Sequence, residues 1–173
     1  MIIGNKTIQY AIYDRTNGRP EFVMDTSSYK RPPLEMLTDT QKGAGIMGEL
    51  DLPTLGQLGS MESELVYKKT NKKSVEMFAP KMHEIEVRWV SDALDSSNGS
   101  VKTEAHKEII KYIPKKFELG DIEANTANEA TLTIEIYYYQ YIVNGEALIE
   151  IDKLNNVLKF LGVDYTSSIR QAL

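Results

Sequence analysis

Most apolar positions in this chain alternate with polar ones at a period of two, which is the pattern of half-buried β-strands. The first such segment is Thr7 to Tyr13. A turn cluster with Asn17, Gly18 and Pro20 separates it from a short second segment, Glu21 to Met24. The two segments predict an N-terminal β-hairpin.

The same pattern predicts a run of further strands. They are Ser60 to Lys68, Met82 to Val90, Val101 to Tyr112, Ile113 to Leu119, Asn128 to Val143, Glu146 to Asp152 and Asn155 to Val163. Turns at Ser96 to Gly99 and at Asn144-Gly145 join neighbouring strands, and Asn-Gly is a strong hairpin signal. Pro114 predicts a bulge or a sheet edge. Sequential hairpins favour an antiparallel barrel or sandwich.

Residues Asn71 to Ala79 predict the one clear helix of the chain. Asn71 is a suitable N-cap, and Pro80 ends the segment. Val75, Phe78 and Ala79 lie at helical spacing, so we expect them to form the buried stripe.

Residues 26–59 differ from the rest because they contain three of the six prolines and five of the eleven glycines. The segment predicts no sustained helix, only short extended pieces such as Leu34 to Thr38. It is nevertheless rich in leucine and methionine, which disordered linkers are not. We therefore expect an ordered loop that packs on its own domain or on a neighbouring subunit.

The segment Asn128 to Val143 predicts the strongest strand, with large side chains on both faces. Alternation places Tyr138 with Ile134 and Ile136 on one face, and Tyr137, Tyr139 and Tyr141 on the other. Tyrosines on a second face are typical of a buried layer or an interface. We therefore expect these three tyrosines to contact a neighbouring subunit.

Composition excludes several classes of site. The 173 residues carry a net charge of −5, no cysteine and two histidines. Disulfides and thiolate sites are excluded, and His83 and His106 are expected to be solvated surface residues. No apolar run of membrane-spanning length occurs, and the N-terminus does not resemble a signal peptide, so we expect release into the cytoplasm.

Candidate chemistry is sparse. Gly43, Gly45 and Gly48 spell a G-x-G-x-x-G pattern, but no strand–helix unit surrounds it, which favours a tightly turned contact loop over a cofactor site. The pairs Glu62/Glu64 and Glu84/Glu86 each share a strand face and are expected on solvated, acidic sheet faces. We predict no catalytic residue, cofactor or metal ion.

Three stretches resemble the major tail tube proteins of contractile-tailed phages and R-type bacteriocins. The first is Glu35 to Met61, with its K-GAG-x-x-G segment; the second is the helix followed by HEIEVRWV. The third is residues 127–173, with Glu150 and Asp152 forming the E-x-D motif. Leu161 replaces the asparagine that family members carry before Gly-Val-Asp.

The resemblance implies a mainly β fold: a small antiparallel β-barrel or sandwich with one short α-helix and a long ordered loop, in a single domain of residues 1–173. It implies hexameric rings stacked into the inner tube of a contractile tail, in a particle assembled in the bacterial host cytoplasm and released on lysis. Implied partners are the tail sheath, the tape measure protein, the baseplate tube initiator, the tail terminator, and DNA in transit. We expect inter-ring contacts from Lys42, Gly43, Ala44, Gly45, Ile46, Met47 and Gly48.

Two other interpretations stay open at this stage. A small-ligand-binding β-barrel would use the tyrosine-rich strand to line a pocket and would be a monomer. Within the tube class, the sequence does not distinguish an infectious phage from a bacteriocin or a secretion apparatus. Acidic strand faces would suit a lumen through which DNA slides.

Overall fold

The computed structural model describes residues 1–4 and 6–173, and for Asn5 the backbone alone. These residues form twelve strands and two short helices. In chain order they are β1 Ile2–Asp14, β2 Glu21–Phe22, β3 Thr26–Lys30, β4 Met36–Gln41, β5 Leu50–Leu58, β6 Glu62–Tyr67, α1 Lys72–Met77, β7 His83–Asp95, β8 Ser100–Glu118, β9 Ala130–Val143, β10 Glu146–Asp152, β11 Val157–Phe160, β12 Val163–Asp164 and α2 Ser167–Ala172.

Ten of the strands form one antiparallel sheet, and eight of them follow the order β12-β11-β10-β9-β8-β7-β1-β2. Strand β6 pairs with the first half of β9, and β3 pairs with β6. Within the described residues β3 does not pair with β1, so the curved sheet stays open between these two strands. The predicted mainly β, antiparallel fold class is confirmed.

The predicted turns fall where the hairpins bend. Asn144 and Gly145 both adopt positive φ, at 47° and 84°, and join β9 to β10 as a two-residue turn. The pairing of β8 with β9 shifts register between Pro114 and Lys116, as expected for a proline that has no N–H to donate. The N-terminal hairpin is present, although β2 is only two residues long.

A bulge at Tyr137 reverses the faces of β9. Ile136 pairs with Tyr112 of β8, but Tyr138 pairs with the preceding residue, Lys111, so Tyr137 is an extra residue. Beyond this bulge Tyr139 lies on the core face and Tyr138 on the opposite one. The prediction that Tyr138 shares a face with Ile136 is therefore wrong, because simple alternation ignores bulges.

Helix α1 begins as predicted but buries a different face. The side chain of Asn71 accepts a hydrogen bond from the Ser74 N–H at 2.8 Å, and Ser74 bonds back to the Asn71 N–H in a capping box. Met77 is buried against Tyr67 and Tyr112, whereas Val75 and Phe78 are exposed. The predicted buried stripe is therefore wrong, and Val75 and Phe78 lie on the surface of the subunit.

The segment 26–59 has more regular structure than the sequence indicated. Strand β3 joins the main sheet through β6, and β4 and β5 pair with each other in a separate two-stranded sheet. The segment expected to be an ordered loop with short extended pieces thus contains three paired strands. A second helix, α2, was also missed; its Arg170 binds Asp164 and lowers the pKa of that carboxyl to about 2.

The β11–β12 turn gives a test of backbone strain. Leu161 adopts φ +50° beside Gly162 at +79°, a conformation that costs a leucine about 1 kcal/mol and that asparagine tolerates. We predict that Leu161→Asn raises the free energy of unfolding by about 0.5–1 kcal/mol, measured by urea denaturation.

Leu154→Asn is the matched control. Leu154 is 69% exposed and Leu161 71%, but Leu154 has no positive φ. If both substitutions change the free energy of unfolding equally, relief of backbone strain at Leu161 does not explain the effect.

Candidate assembly surface

The hairpin formed by β4 and β5, residues 36–58 with a tip at 42–49, projects as an arm. Its strands pair through Thr38–Pro53, Asp39–Leu52 and Gln41–Leu50. Nearly all its residues are exposed. A lone two-stranded hairpin is marginally stable in water, so the arm is expected to gain stability from a further surface.

The tip of the arm is the glycine-rich segment noted in the sequence. Gly43, Gly45 and Gly48 all have positive φ, at 149°, 89° and 90°, which glycine adopts without steric cost. The Ile46 N–H donates to the Gly43 carbonyl at 3.1 Å, and Lys42 pairs with Glu49 across the tip at 3.5 Å. The predicted contact residues 42–48 thus lie together in one exposed turn.

One face of the arm carries exposed leucines. Register and alternation place Leu50 and Leu52 on the same face as Asp39, and both leucines are exposed. The opposite face carries the Thr40 hydroxyl, which donates to Asp51 at 2.7 Å. The arm therefore presents a leucine surface that includes the carboxylate of Asp39.

The base of the arm is fixed to the body. The Gly59 N–H donates to the Glu35 carbonyl at 2.9 Å, and Lys153 Nζ donates to the Gly59 carbonyl at 2.5 Å. Met36 and Leu58 pack on the hydrophobic core. A Cβ at Gly56 would lie 3.0 Å from Cγ2 of Thr166, so the arm backbone passes close to α2.

A buried carboxylate fixes the point at which the chain leaves β3 for the arm. Glu108 of β8 is 0% exposed. It accepts hydrogen bonds from the Tyr29 hydroxyl at 2.7 Å, the Tyr139 hydroxyl at 2.6 Å and Arg31 Nε at 2.5 Å. We call these four residues the Glu108 clasp. Burial, with Glu108 next to it, raises the pKa of the Tyr29 hydroxyl, which therefore stays protonated and donates.

Arg31 also covers an aromatic stack. Its guanidinium lies 4.5 Å from the ring centre of Tyr141 and 5.1 Å from that of Trp89. His106 stacks on Trp89 at 5.0 Å, and its ring nitrogens contact Ser91 Oγ at 2.7 Å and the Tyr141 hydroxyl at 2.9 Å. This stack extends the clasp along the sheet.

The expectation of two solvated histidines is wrong. His83 is buried, stacks on Tyr112 at 5.2 Å and lies 2.9 Å from the Ala79 carbonyl through Nε2. The side chain of His106 is also largely covered, by Trp89 and Tyr141. Both imidazole rings stack on aromatic side chains. The charged residues next to them in the sequence did not indicate this burial.

The three predicted tyrosine contacts fall in different environments. Tyr139 is buried and donates inside the subunit to Glu108. Tyr141 lies half-buried under Arg31, and Tyr137 is half-exposed at the bulge. Of the three, Tyr137 therefore has the side chain placed most freely for a neighbour.

The paired glutamates do not form plain acidic faces. Glu86 is buried and binds Arg15 at 2.8 Å and also Arg88. Glu62 binds Lys115 at 2.6 Å. Arg88 lies two residues from Glu86 on β7, whereas Arg15 and Lys115 come from other parts of the chain. Alternation within one strand does not reveal the contacts of Arg15 and Lys115.

The described residues hold no group of three or more His, Cys, Asp or Glu side chains that could bind a metal ion. None of the helices in the described part of the chain has the length and apolar character needed to cross a bilayer.

Comparison with known proteins gives the family. The model of the family "Phage tail tube protein FII" matches residues 15–173, so the chain belongs to this family of structural, non-enzymatic proteins. The resemblance seen in the sequence is confirmed. No curated protein matches the chain significantly.

The similarity of the chain to solved structures is weaker than its match to the family model. A chain of the cryo-EM structure of an extracellular contractile injection system, the PVC sheath/tube terminator in the extended state, matches with a TM-score of 0.51 and 11% identity. The match covers 81% of this chain and 96% of that one, and it supports the fold. A chain of the anti-feeding prophage (AFP) baseplate, 6-fold symmetrised, matches with a TM-score of 0.42, 14% identity and coverage of 79% and 91%.

The Glu108 clasp predicts a stability effect. Glu108→Gln removes the charge opposite Arg31 and places an amide group among hydroxyl donors. Breaking a fully buried pair costs about 3–5 kcal/mol, but the Arg31 side chain is 47% exposed, so we expect a loss of about 2–3 kcal/mol in urea denaturation.

Glu118→Gln on the same strand is the control, since Glu118 is exposed and pairs with an exposed Lys116. We expect it to change stability by less than about 0.5 kcal/mol. If Glu108→Gln were equally mild, the clasp would not hold β3 and the start of the arm.

Proposed function

We propose that this tail tube protein assembles into hexameric rings that stack as the inner tube of a contractile tail or of an R-type bacteriocin-like particle. Sheath contraction would drive this tube through the target envelope. Membership of the tail tube family supports the tube role, and six subunits per ring is what the sequence resemblance implies.

The arm is the observation that carries this proposal. It exposes leucines on one face and has a rigid base and a glycine tip, yet it lacks a covering layer within the described subunit. Contiguous exposed apolar surface is typical of protein–protein interfaces. An arm that docks on the next ring is a heterologous contact, and repetition of such a contact builds an open filament.

The individual binding partners that we propose follow from the same role as a tube. A tube inside a sheath would contact the sheath protein outside and the tape measure protein in its lumen. It would start on a baseplate initiator and end at a terminator, and DNA would pass through if the particle is a phage. The particle would assemble in the host cytoplasm and leave on lysis.

A small-ligand barrel receives less support. Its binding strand would need free tyrosines inside a cavity, but Tyr139 is hydrogen-bonded to Glu108 and Tyr141 is covered by Arg31. The gap between β1 and β3 opens to solvent beside Tyr10 and Trp89. This gap does not form the closed pocket that the alternative requires.

Negative-stain electron microscopy of the purified protein at increasing concentration tests the proposal. We expect hollow tubes or stacked rings, with native mass spectrometry giving six subunits per ring. Particles of monomer size at every concentration and salt, also with preformed baseplate tube ends added as seeds, would refute it.

The tip of the arm gives a sharper prediction. Gly45 has φ +89°, which proline cannot adopt, so Gly45→Pro deforms the tip while the body keeps its fold. Lys42→Glu places two acidic groups at the Lys42–Glu49 contact. We expect both variants to stay folded and soluble, with thermal midpoints within a few degrees of the wild type, and to form no tubes.

Lys116→Glu is the matched control for Lys42→Glu, because Lys116 is likewise exposed and paired with one glutamate, Glu118, at 2.7 Å. It should form tubes as the wild type does. Normal tubes from Lys42→Glu and Gly45→Pro would rule out a role of the tip in contacts between rings.

A further inference from the structure

A basic and apolar surface surrounds helix α1. Val75 is 53% exposed and Phe78 38%, and both lie on the outer side of the helix. Phe78 contacts Phe117 with ring centres 5.5 Å apart, and the Thr70 hydroxyl donates to the Leu119 carbonyl at 3.3 Å. These contacts join the helix to the end of β8, where Leu119 is also exposed. We call Lys68, Lys69, Lys72, Val75, Phe78 and Leu119 the helix patch.

The cations of this patch are not neutralised inside the subunit. Lys68, Lys69 and Lys72 are exposed and form no ion pair within 4.0 Å among the described residues. The neighbouring Lys73 differs, since it turns inward and binds Asp14 at 2.6 Å and Glu21 at 2.8 Å. Asp25 lies beside these lysines, since its carboxylate accepts a hydrogen bond from Asn71 Nδ2 at 3.3 Å and its carbonyl accepts one from the Lys68 N–H at 2.7 Å. Among the described residues, however, neither Asp25 nor the loop residues Asp121, Glu123 and Glu129 form an ion pair with the three lysines.

The arm has the opposite character. Asp39 and Asp51 accept hydrogen bonds from Gln41 and Thr40 respectively, but neither forms an ion pair in the described part of the chain. Asp39 lies directly across from the exposed Leu52 on the leucine face, whereas Asp51 lies on the opposite face. The one lysine of the arm, Lys42, is already paired with Glu49. The arm thus combines leucines with uncompensated negative charge.

We propose that the arm of one subunit docks on the helix patch of a second copy of this chain. Leucines of the arm would cover Val75, Phe78 and Leu119, and Asp39 on the same face of the arm would face Lys69 and Lys72. The proposal rests on the tube assembly proposed above and adds the receiving surface. Complementary charge at such a contact sets orientation and suppresses wrong pairings more than it adds affinity.

Charge exchange tests this contact. The arm variant Asp39→Lys and the patch variant Lys69→Glu/Lys72→Glu each place like charges opposite one another. We expect each alone to raise the concentration needed for tube formation at least about tenfold, measured by sedimentation and electron microscopy. The chain that combines all three substitutions restores opposite charges and should assemble close to wild-type concentrations.

Lys6→Glu is a control, because Lys6 is exposed and lies in β1, away from α1. It should assemble normally, and circular dichroism should show that every variant is folded. If wild-type tubes form but the arm variant and the patch variant both assemble normally, the helix patch is not the receiving surface. If each variant fails and the combined chain also fails, the two surfaces do not face each other. Absence of wild-type tubes, also with seeds added, would instead refute the proposed function.

Discussion

The buried carboxylate of Glu108 is the constraint on which the geometry of the arm depends. An ionised group that is fully buried is tolerated only when charge and hydrogen bonds compensate it. Here the compensation comes from Tyr29 at the end of β3, Tyr139 of β9 and Arg31, which directly follows β3. The chain must therefore leave the sheet at one point, and Arg31 must lie over Trp89 and Tyr141.

This fixed base explains how an otherwise weak hairpin can serve assembly. Two strands alone bury little surface, so β4 and β5 gain order from their base, where Met36 and Leu58 join the core and Lys153 holds Gly59. Toward the tip these supports end while exposed leucines continue. A segment anchored at one end and apolar at the other loses little entropy when a neighbouring surface covers it.

Sequence alternation predicted most strands and turns because both depend on local residue order. It failed at Tyr137, since a bulge is defined by how β9 pairs with β8 and not by β9 alone. The tip at 42–48 was found from its glycines. The Glu108 clasp was not, because Arg31 lies 77 residues from Glu108 and nothing in the sequence indicates their contact. Of the hairpin, only the start of β4 was expected, as the extended piece Leu34 to Thr38, and β5 was missed because Pro53 and Gly56 interrupt its alternation.

Ion pairs formed in the folded subunit determine which surfaces carry the net charge of −5. Glu62 pairs with Lys115 of β8, and Glu86 pairs with Arg15 and with Arg88 of its own strand. The sheet faces therefore contribute less negative charge than the number of acidic residues indicates. The uncompensated carboxylates that remain include Asp39 on the arm, while uncompensated lysines gather near α1. A subunit with unlike charges on separate surfaces favours head-to-tail contact over symmetric pairing, since equal surfaces repel. Head-to-tail contact is the geometry that a growing tube requires.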